Sequence, residues 1–332
     1  MELLRLWQAK GIMKKIRIAV LGYGHLGKWH CQKVAANSEV AEFVAIVEKF
    51  PANQEEARKN HPNVKVVSDI KDIINEIDAA FVVTPTSTHF ELVKYLLEKN
   101  KSVFCEKPLC SNDDEAAALA LIANNKDAVL QVGHSERFHE AWEKLRSHFQ
   151  NLPTPFSVRI NRSAPFKGRA TDVDVVQDLA IHDLDLVLYL FKQKPLQVKA
   201  NGFKIRTNKW DHANIYLNLE EKCDVTIVVG RNSVKEMRDL EVISKDGMIT
   251  VDLFTNKIYE ATSSKFEDGT FVKEESYAKR DHLFLEHQHF YQSISHSQPA
   301  IIGLKDGLNA VHLVDCTLKA METLGPISVK LG

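Results

Sequence analysis

The sequence lacks an excess of charge of either sign, and it lacks any long apolar run. Its 332 residues carry 43 Lys and Arg against 44 Asp and Glu, a formal net charge of −1. Without a basic excess or a basic stripe, the chain is not expected to bind nucleic acid or a membrane surface. No apolar run approaches the roughly 20 residues that span a bilayer, and the N-terminal MELLRLWQAK lacks the basic region and apolar core of a signal peptide. We therefore expect a cytoplasmic protein without a membrane partner.

Cysteine is scarce, and its spacing argues against a metal protein and a disulfide framework. The five cysteines are scattered, at positions 31, 105, 110, 223 and 316, without the paired spacing of a zinc site. Three histidines cluster on one amphipathic segment, again without metal-ligand spacing: His282, His287 and His289. We expect reduced structural thiols and no metal. The chain also has no internal repeat and no low-complexity segment.

The 44% of apolar residues suffice for a core in each of two domains, and the pattern of the chain changes near residue 134. Strands and helices alternate before that point, which indicates a parallel sheet. Several consecutive strands after it indicate an antiparallel sheet. We predict an α/β chain with a dinucleotide-binding domain over 14–134 and a substrate-binding and oligomerisation domain over 135–332. Met13-Lys14-Lys15 looks like a natural start, so residues 1–13 are expected to be an extension that is partly disordered.

In the second domain the sequence predicts a helix over Ser135–Phe149, a strand over Phe156–Asn161 and a strongly apolar helix over Asp174–Phe191. Strand-like segments follow at 196–206, 213–219, 223–230, 238–244, 247–253 and 270–275. Two helices, 281–296 and 304–323, finish the chain.

A glycine-rich turn follows the first apolar run and is the strongest local signal in the chain. Residues 15–34, KIRIAVLGYGHLGKWHCQKV, contain the apolar run, the turn Gly22-Tyr23-Gly24-His25-Leu26-Gly27 and then a helical pattern. In such a strand, turn and helix the first glycine permits the tight turn and the second lets the backbone approach a pyrophosphate. The third lets helix and strand pack closely, with the phosphates at the helix N-terminus. The stretch predicts a dinucleotide site formed by all six turn residues.

The second strand ends in an acid, Glu48, about 20 residues after the last glycine of the turn. A carboxylate there accepts hydrogen bonds from the adenosine ribose hydroxyls and repels a 2′-phosphate, which favours NAD over NADP. Lys49 keeps the alternative open, because a cation at the strand tip could hold a 2′-phosphate.

Two further strands end in loops that a cofactor should border. The strand over 78–83 ends at Thr84, and the strand over 102–105 ends at Glu106-Lys107-Pro108. Ligands of open α/β sheets bind outside the carboxyl ends of the strands. We therefore expect these loops to contact the cofactor through Thr84, Pro85, Thr86, His89, Glu106 and Lys107.

Lys107 lies between an acid and a proline that constrains the chain and permits a cis bond. It is either a surface lysine after a strand, as most lysines are, or a lysine that directs its ammonium at a substrate oxygen beside the nicotinamide. The second interpretation requires a cleft that lowers the pKa of the lysine.

Asp178 and His182 are four residues apart on the predicted helix and share a face, so the carboxylate could orient the imidazole. His182 suits the role of general base for a hydroxyl because an unperturbed histidine has a pKa of about 6.5. The alternative is a capped helix with acids in its first turn and a satisfied histidine, which Asp183 and Asp185 fit. At the domain junction, Arg137 would hold a carboxylate or phosphate bidentately, or form a structural ion pair with Glu136 or another acid.

Taken together, the glycine turn, Thr84-Pro85-Thr86 with His89, Glu106-Lys107-Pro108 and Asp178 with His182 resemble the glucose-fructose oxidoreductase, inositol dehydrogenase and rhizopine catabolism family (Gfo/Idh/MocA). The resemblance runs from about residue 14 to about residue 325. It implies an N-terminal Rossmann domain with a parallel sheet, followed by an α/β domain with an open, mostly antiparallel sheet. The face of that second sheet commonly forms the dimer contact, so a homodimer or homotetramer is implied.

The resemblance also implies that Lys107, Asp178 and His182 form the catalytic set of a dehydrogenase. Ala180 stands where the family often has glycine. The segments GHSERF, 133–138, and DVDVVQDL, 172–179, resemble the subgroup that oxidises the 3-hydroxyl of UDP-N-acetylglucosamine. That subgroup makes a 3-keto sugar nucleotide, which a partner aminotransferase converts for diamino-sugar lipid A. Its usual pattern has asparagine after Arg-Phe, where this chain has His139.

A UDP-sugar brings a diphosphate, whose site needs cations. The segment over 159–169 supplies four of them, Arg159, Arg162, Lys167 and Arg169. It either contacts the substrate, with Arg162, Arg169 and Arg137 as ligands, or is a solvated basic loop.

The leading hypothesis is an NAD-dependent sugar dehydrogenase. An inositol or free-sugar dehydrogenase is the alternative among enzymes. A catalytically silent NAD(H)-binding sensor or scaffold would keep the glycine turn and Glu48, but it would need neither Lys107 nor the pair Asp178 and His182.

Overall fold

The computed structural model describes residues 14–123, 127–168, 171 and 173–332, so the predicted N-terminal extension and Arg169 lie outside the described residues. The described chain divides into two units, each with its own sheet. The first comprises the described residues up to Gly133 together with Leu283–Leu304. The second comprises His134–His282 and Lys305–Gly332.

The sheet of the first unit has six strands, all parallel: β1 (Ile16–Leu21), β2 (Ala41–Val47), β3 (Lys65–Val67), β4 (Ala79–Val82), β5 (Ser102–Glu106) and β6 (Leu130–Gly133). Their order is β3-β2-β1-β4-β5-β6. The inner strands are continuous apolar runs because both faces of a parallel sheet are covered. The predicted parallel Rossmann sheet is confirmed.

The α-helices of the described residues are α1 (His25–Ala36), α2 (Pro51–Asn60), α3 (His89–Glu98), α4 (Asp113–Ala123), α5 (Glu140–Phe149), α6 (Ile181–Leu190), α7 (His282–Ser295) and α8 (Leu304–Thr323). Two predicted helices differ from the structure. The helix expected over 135–149 is a short 3₁₀ turn, then a break at His139, then α5. The helix expected over 174–191 begins with a π-helical turn, Val176–Ala180, before α6.

Helix α7 corrects the predicted domain boundary, which placed all of 135–332 in the second domain. Most of α7 belongs to the first unit, where its buried face packs on the aromatic side of that sheet. The ring centroids of Phe81 and His287 are 4.1 Å apart, and those of Phe81 and Phe290 are 5.3 Å apart. An amphipathic pattern shows that a helix has an apolar face, but it does not show which sheet that face covers.

The sheet of the second unit has nine strands: β7 (Ser157–Ser163), β8 (Pro195–Phe203), β9 (His212–Leu219), β10 (Asp224–Gly230), β11 (Met237–Ser244), β12 (Gly247–Asp252), β13 (Lys257–Thr262), β14 (Val272–Ser276) and β15 (Ile327–Ser328). The order is β14-β13-β12-β11-β7-β10-β9-β8-β15, and β7 and β10 are the parallel pair. The other neighbours are antiparallel, which confirms the open, mostly antiparallel sheet. Strands β13 and β15 were not predicted.

Burial alternates along the strands of this second sheet, as in β9, because one face packs against the core and the other does not. Residues of α5, α6 and α8 complete that core. The five cysteines are all buried and form no disulfide. Within the described ranges, no helix is long and apolar enough to cross a bilayer.

Candidate functional site

The three glycines of the turn after β1 have different surroundings. Gly22 has φ +97°, and a Cβ there would lie 2.5 Å from the carbonyl oxygen of Val83, so only glycine fits. A Cβ on Gly27 would collide with the carbonyl oxygen of Gly22. Gly24, by contrast, has no other heavy atom within 4 Å of the position of a Cβ. Two glycines are therefore required by the protein's own packing, whereas Gly24 opens onto free space.

The free space at Gly24 lies at the N-terminus of α1. Gly24 is the N-cap of this helix, and no side chain caps it. Gly24, His25 and Leu26 are exposed. The first amide groups of a helix lack intrahelical partners and favour an anion. The turn also lies where the strand order reverses between β1 and β4, the usual ligand position in such sheets. These residues fit the pyrophosphate of a dinucleotide.

Glu48 holds the glycine turn against the end of β2. Its Oε2 accepts a hydrogen bond from the backbone N–H of Tyr23 (2.8 Å), and its Oε1 accepts one from the N–H of Phe50 (2.9 Å). The side-chain amide of Asn53 donates to Oε2 at 3.3 Å. An ionised carboxylate has about four acceptor positions, so one remains for a ribose hydroxyl. Lys49, next to it, is exposed.

The ring of Tyr23 is buried, and its hydroxyl accepts a hydrogen bond from Asn60 at 3.2 Å. Only the main chain of Tyr23 therefore lies on the open side of the turn. The predicted cofactor contact from this residue is reduced to its backbone.

His89 joins the two loops that follow β4 and β5. Its Nε2 lies 2.8 Å from the carbonyl oxygen of Thr84, and its Nδ1 lies 2.7 Å from the carbonyl oxygen of Pro108. The hydroxyls of Thr84 and Thr88 are 2.6 Å apart. Because both ring nitrogens contact the protein, the buried His89 ring positions the loops and presents neither nitrogen to a cofactor.

Glu106 and Lys107 lie at the carboxyl end of β5, and the Lys107–Pro108 peptide bond is cis. Oε2 of Glu106 accepts the backbone N–H of Lys107 at 3.2 Å, and Oε1 lies 3.0 Å from Nε2 of His30. Burial would raise the pKa of Glu106, but the hydrogen bond and charge of His30, with Lys107, hold that pKa below its ordinary value. Lys107 is only partly buried. The strand end thus pairs a buried carboxylate with a lysine that solvent can reach.

In the second unit, Asp178 and His182 lie on either side of the junction between the π-helical turn and α6. Both are partly exposed, although Ala180 and Ile181 between them are buried. π-Helical turns inside helices are frequent at functional sites. The two side chains are therefore held on a largely buried segment, and Nδ1 of His182 is itself buried.

Four charged side chains near this helix form a compact network. The guanidinium of Arg162 binds the buried carboxylate of Asp183 through Nε, at 2.9 and 3.0 Å, and Nη2, at 2.7 Å. It also lies 3.6 Å from Glu136, which Arg238 contacts as well. Burial would raise the pKa of Glu136, but Arg162, Arg238 and then His182 hold that pKa well below its ordinary value. The predicted phosphate ligand Arg162 is thus already bound to carboxylates.

Arg137 makes the structural ion pair that was one of its two predicted roles. Its guanidinium donates to Asp185 at 2.6 and 2.8 Å and to Asp306 at 2.9 Å. The acid is Asp185 and not the neighbouring Glu136. Arg137 also borders a cavity of about 300 Å³, which neither Asp178 nor His182 lines.

Arg159 and Lys167 of the basic segment are surface groups. Arg159 donates to Glu241 at 3.2 Å, and Lys167 donates to Glu236 at 3.2 Å. Arg169 lies outside the described residues.

His139, at the position of the expected asparagine, is a buried ring packed on Tyr277 and His282, with centroid distances of 5.1 and 5.0 Å. Burial, and then the charge of His282, lower the pKa of His139 to about 4. The ring is therefore neutral at neutral pH. In the described part of the chain, no group of three or more His, Cys, Asp or Glu could hold a metal ion.

Sequence reasoning missed Arg238, His30 and the link from His30 to His287. Arg238 reaches Glu136 because β11 pairs with β7, and no pattern in the sequence gives that register. His30 follows the glycine turn by one helical turn, a position that could have been noted.

Two family descriptions match the chain. "Oxidoreductase family, NAD-binding Rossmann fold" matches residues 16–134, and "GFO/IDH/MocA C-terminal domain" matches residues 143–250. The matches confirm the predicted fold and NAD as the cofactor.

Individual relatives agree with these matches. The UDP-N-acetylglucosamine 3-dehydrogenase of Acidithiobacillus ferrooxidans is 32% identical over 293 residues, which cover 86% of this chain and 91% of that protein. A solved structure of the same enzyme, GnnA, has a TM-score of 0.84 at 30% identity and covers 94% of this chain and 99% of that one. The scyllo-inositol dehydrogenase of Lactobacillus casei, solved with bound NAD(H) and scyllo-inositol, shares the fold, with a TM-score of 0.78 at 23% identity and coverage of 95% and 99%.

Proposed function

The chain belongs to the Gfo/Idh/MocA family of NAD-dependent oxidoreductases acting on CH–OH groups, and from that premise we propose that it oxidises the 3-hydroxyl of UDP-N-acetylglucosamine. The observation that carries the proposal is the 32% identity, over most of both chains, to an enzyme of that name. The GHSERF and DVDVVQDL segments support the same subgroup.

In the proposed reaction His182 takes the proton of the sugar hydroxyl, and Asp178 orients the imidazole. Lys107 stabilises the negative charge that develops on the oxygen. Bound NAD supplies the hydride acceptor. The glycine turn with Glu48 holds the cofactor, and the loops joined by His89 keep the strand ends fixed.

The diphosphate needs cations that are not already bound to carboxylates. Arg162 is held by Asp183, and Arg137 by Asp185. In our proposal Arg169 contacts the diphosphate directly, whereas Arg162 and Arg137 shape the substrate side by fixing the helix that carries His182. This division changes the sequence-based hypothesis, in which all three arginines touched the substrate.

The 3-keto product would pass to an aminotransferase that makes a diamino sugar for lipid A. The protein would act in the cytoplasm as a homodimer or homotetramer.

The test is a substrate panel with purified protein and NAD, followed by NADH absorbance. The panel contains UDP-N-acetylglucosamine, N-acetylglucosamine and myo-inositol, and borodeuteride trapping of the product locates the new carbonyl. We expect UDP-N-acetylglucosamine to be oxidised far faster than the others, with deuterium at C3. Comparable rates with the free sugar would reject the nucleotide-sugar assignment, faster myo-inositol oxidation would favour the inositol alternative, and no NADH from any substrate would favour the sensor.

A further inference from the structure

A chain of buried hydrogen bonds runs from Glu106 into the interior of the first unit. Oε1 of Glu106 lies 3.0 Å from Nε2 of His30, whose Nδ1 lies 2.9 Å from Nε2 of His287. Nδ1 of His287 lies 3.2 Å from the hydroxyl oxygen of Tyr291. The two histidines and the tyrosine are fully buried. This hydrogen-bond network therefore connects the strand end that carries Lys107 to helix α7.

Aromatic rings surround the two histidines. Phe81 stacks on His287 at a centroid distance of 4.1 Å, and Phe104 lies 5.4 Å from His30. A buried polar group without a partner costs about 1–3 kcal/mol, so each nitrogen needs the partner that the chain gives it. The network is thus buried and connected from end to end, the condition in which hydrogen bonds reinforce one another.

The protonation states of Glu106 and His287 limit which atoms of the network can donate. Glu106 is ionised, because His30 and Lys107 outweigh its burial, and an ionised carboxylate only accepts. His30 therefore donates from Nε2. Burial, and then the charges of His30 and Lys33, hold the pKa of His287 well below its ordinary value, so His287 is neutral.

Two arrangements of the remaining protons satisfy every ring nitrogen. With one proton on the His30 ring, Tyr291 donates to Nδ1 of His287, and Nε2 of His287 donates to Nδ1 of His30. With two protons on the His30 ring, its Nδ1 donates to Nε2 of His287, and Nδ1 of His287 donates to the tyrosine oxygen. In both arrangements the bond from Nε2 of His30 fixes the orientation of the Glu106 carboxylate. The charged groups near this hydrogen-bond network are Glu106 and Lys107 at the end of β5 and Lys33 on α1.

We propose that His30, His287 and Tyr291 are positioning residues that hold the carboxylate of Glu106 in one orientation and, through it, hold Lys107 for the reaction. Oε2 of Glu106 accepts the backbone N–H of Lys107, so a rotation of the carboxylate would release the residue that carries the ammonium. The inference rests on the proposed function in one respect, because it takes Lys107 to act on the substrate oxygen.

A double-mutant cycle tests the connection. Tyr291→Phe removes one hydroxyl, and His30→Phe removes the donor to Glu106 within an aromatic pocket. Misplacement of a reacting group by 1 Å can cost 10²-fold in rate. We therefore expect kcat to fall about 10-fold in Tyr291→Phe and about 100-fold in His30→Phe, with little change in the KM for NAD. Because Tyr291 acts only through the histidines, adding Tyr291→Phe to His30→Phe should cost nothing further. Multiplicative effects of the two changes would overturn the connection.

Tyr277→Phe is the matched control, because Tyr277 is a buried tyrosine of the second unit outside the network, whose hydroxyl contacts a backbone oxygen at 3.4 Å. Its kcat should match that of the wild type. An equal loss in Tyr277→Phe and Tyr291→Phe would assign both losses to packing and overturn the positioning role.

A measurement without turnover keeps the two proposals separable. In protein labelled with ¹⁵N-histidine, the imidazole shifts at neutral pH should report a protonated Nε2 on His30 and a single ring proton on His287, with assignments made by His30→Phe and Tyr291→Phe. An unprotonated Nε2 on His30, or two ring protons on His287, would overturn the network whether or not the enzyme turns over. If Lys107→Ala alone left turnover unchanged, the assumed role of Lys107 would fail, while the tautomers would still report on the network.

Discussion

Arg162 and Arg238 lie directly opposite each other on the antiparallel strands β7 and β11, and both reach the carboxylate of Glu136. Like charges opposite each other in a sheet are destabilising unless they are compensated. Here two buried carboxylates, Glu136 and Asp183, compensate the two guanidinium groups. The cluster carries no net charge and is a rigid support for the helix that bears His182.

We expect Arg162→Ala to destabilise the protein by about 3–5 kcal/mol, because it leaves Asp183 buried without its cation. Denaturant unfolding measures the loss. Arg159→Ala is the control, since its exposed pair with Glu241 should contribute below about 1 kcal/mol. Equal stability of the two variants, with a raised KM for UDP-N-acetylglucosamine in Arg162→Ala, would return Arg162 to the role of a phosphate ligand.

Substitutions at two glycines of the turn should have separate effects on cofactor affinity and on the stability of the fold. Gly24→Ala places a methyl group in the open space where a pyrophosphate would approach, so the affinity for NADH should fall while the melting temperature changes little. Gly27→Ala collides with the backbone of Gly22, so its melting temperature should fall. Titration of NADH fluorescence and thermal unfolding measure the two quantities. A large stability loss in Gly24→Ala would contradict the assignment.

Glu48→Ser should narrow the preference for NAD over NADP, because it removes the negative charge that repels a 2′-phosphate. It should also lower stability, since the carboxylate accepts the N–H groups of Tyr23 and Phe50. Direct titration with both dinucleotides measures the preference, and Glu42→Ser, at an exposed position of β2, is the control. Tighter binding of NADP by the wild type would transfer the discriminating role to Lys49.

Lys107→Ala and His182→Ala should each lower kcat by about two to four powers of ten, the usual contribution of a positioned acid or base. The affinity for NADH should change much less. Lys99→Ala and His148→Ala, at exposed positions of the same two units, control for the loss of a cation or an imidazole. Near-normal turnover would remove the residue concerned from the mechanism.

His139 should make the protein sensitive to acid. Its pKa is about 4 in the folded state and about 6.5 when unfolded, so the unfolded chain binds more protons between those values. The free energy of unfolding therefore falls as the pH falls from about 6.5 to about 4, by about 1–3 kcal/mol from this group. His139→Asn should flatten the profile in that window, and the exposed His148→Asn should not. A profile unchanged by His139→Asn would contradict the low pKa.

The fold followed from patterns that act over short distances. The first sheet was predicted because its inner strands, such as β1 and β4, are buried apolar runs followed by turn residues, as at Gly22. The helix expected at 174–191 was found with a π-helical start, which no periodicity of the side chains indicates. The placement of α7 on the first sheet depends on contacts between residues about 200 apart in sequence, such as Phe81 and His287.

The candidate site was predicted in its residue types but not in its pairings. Glu48 was expected to face a ribose, and its bonds to the glycine turn were not foreseen. Arg162 was chosen for its charge alone, although strand register decides that Asp183 and Glu136 share it. Charge patterns locate cations; only the fold shows which of them are already neutralised.

Leu283–Leu304 belong to the first unit although they follow most of the second unit in the sequence. This arrangement affects the order in which the two units can fold during synthesis. Domains usually fold as units while synthesis proceeds from the N-terminus. Here Phe290 and Tyr291 cover the aromatic side of the first sheet, so its core closes only after these residues have left the ribosome. A polypeptide that ends near residue 134 would expose that aromatic surface, and we expect chaperones to bind it.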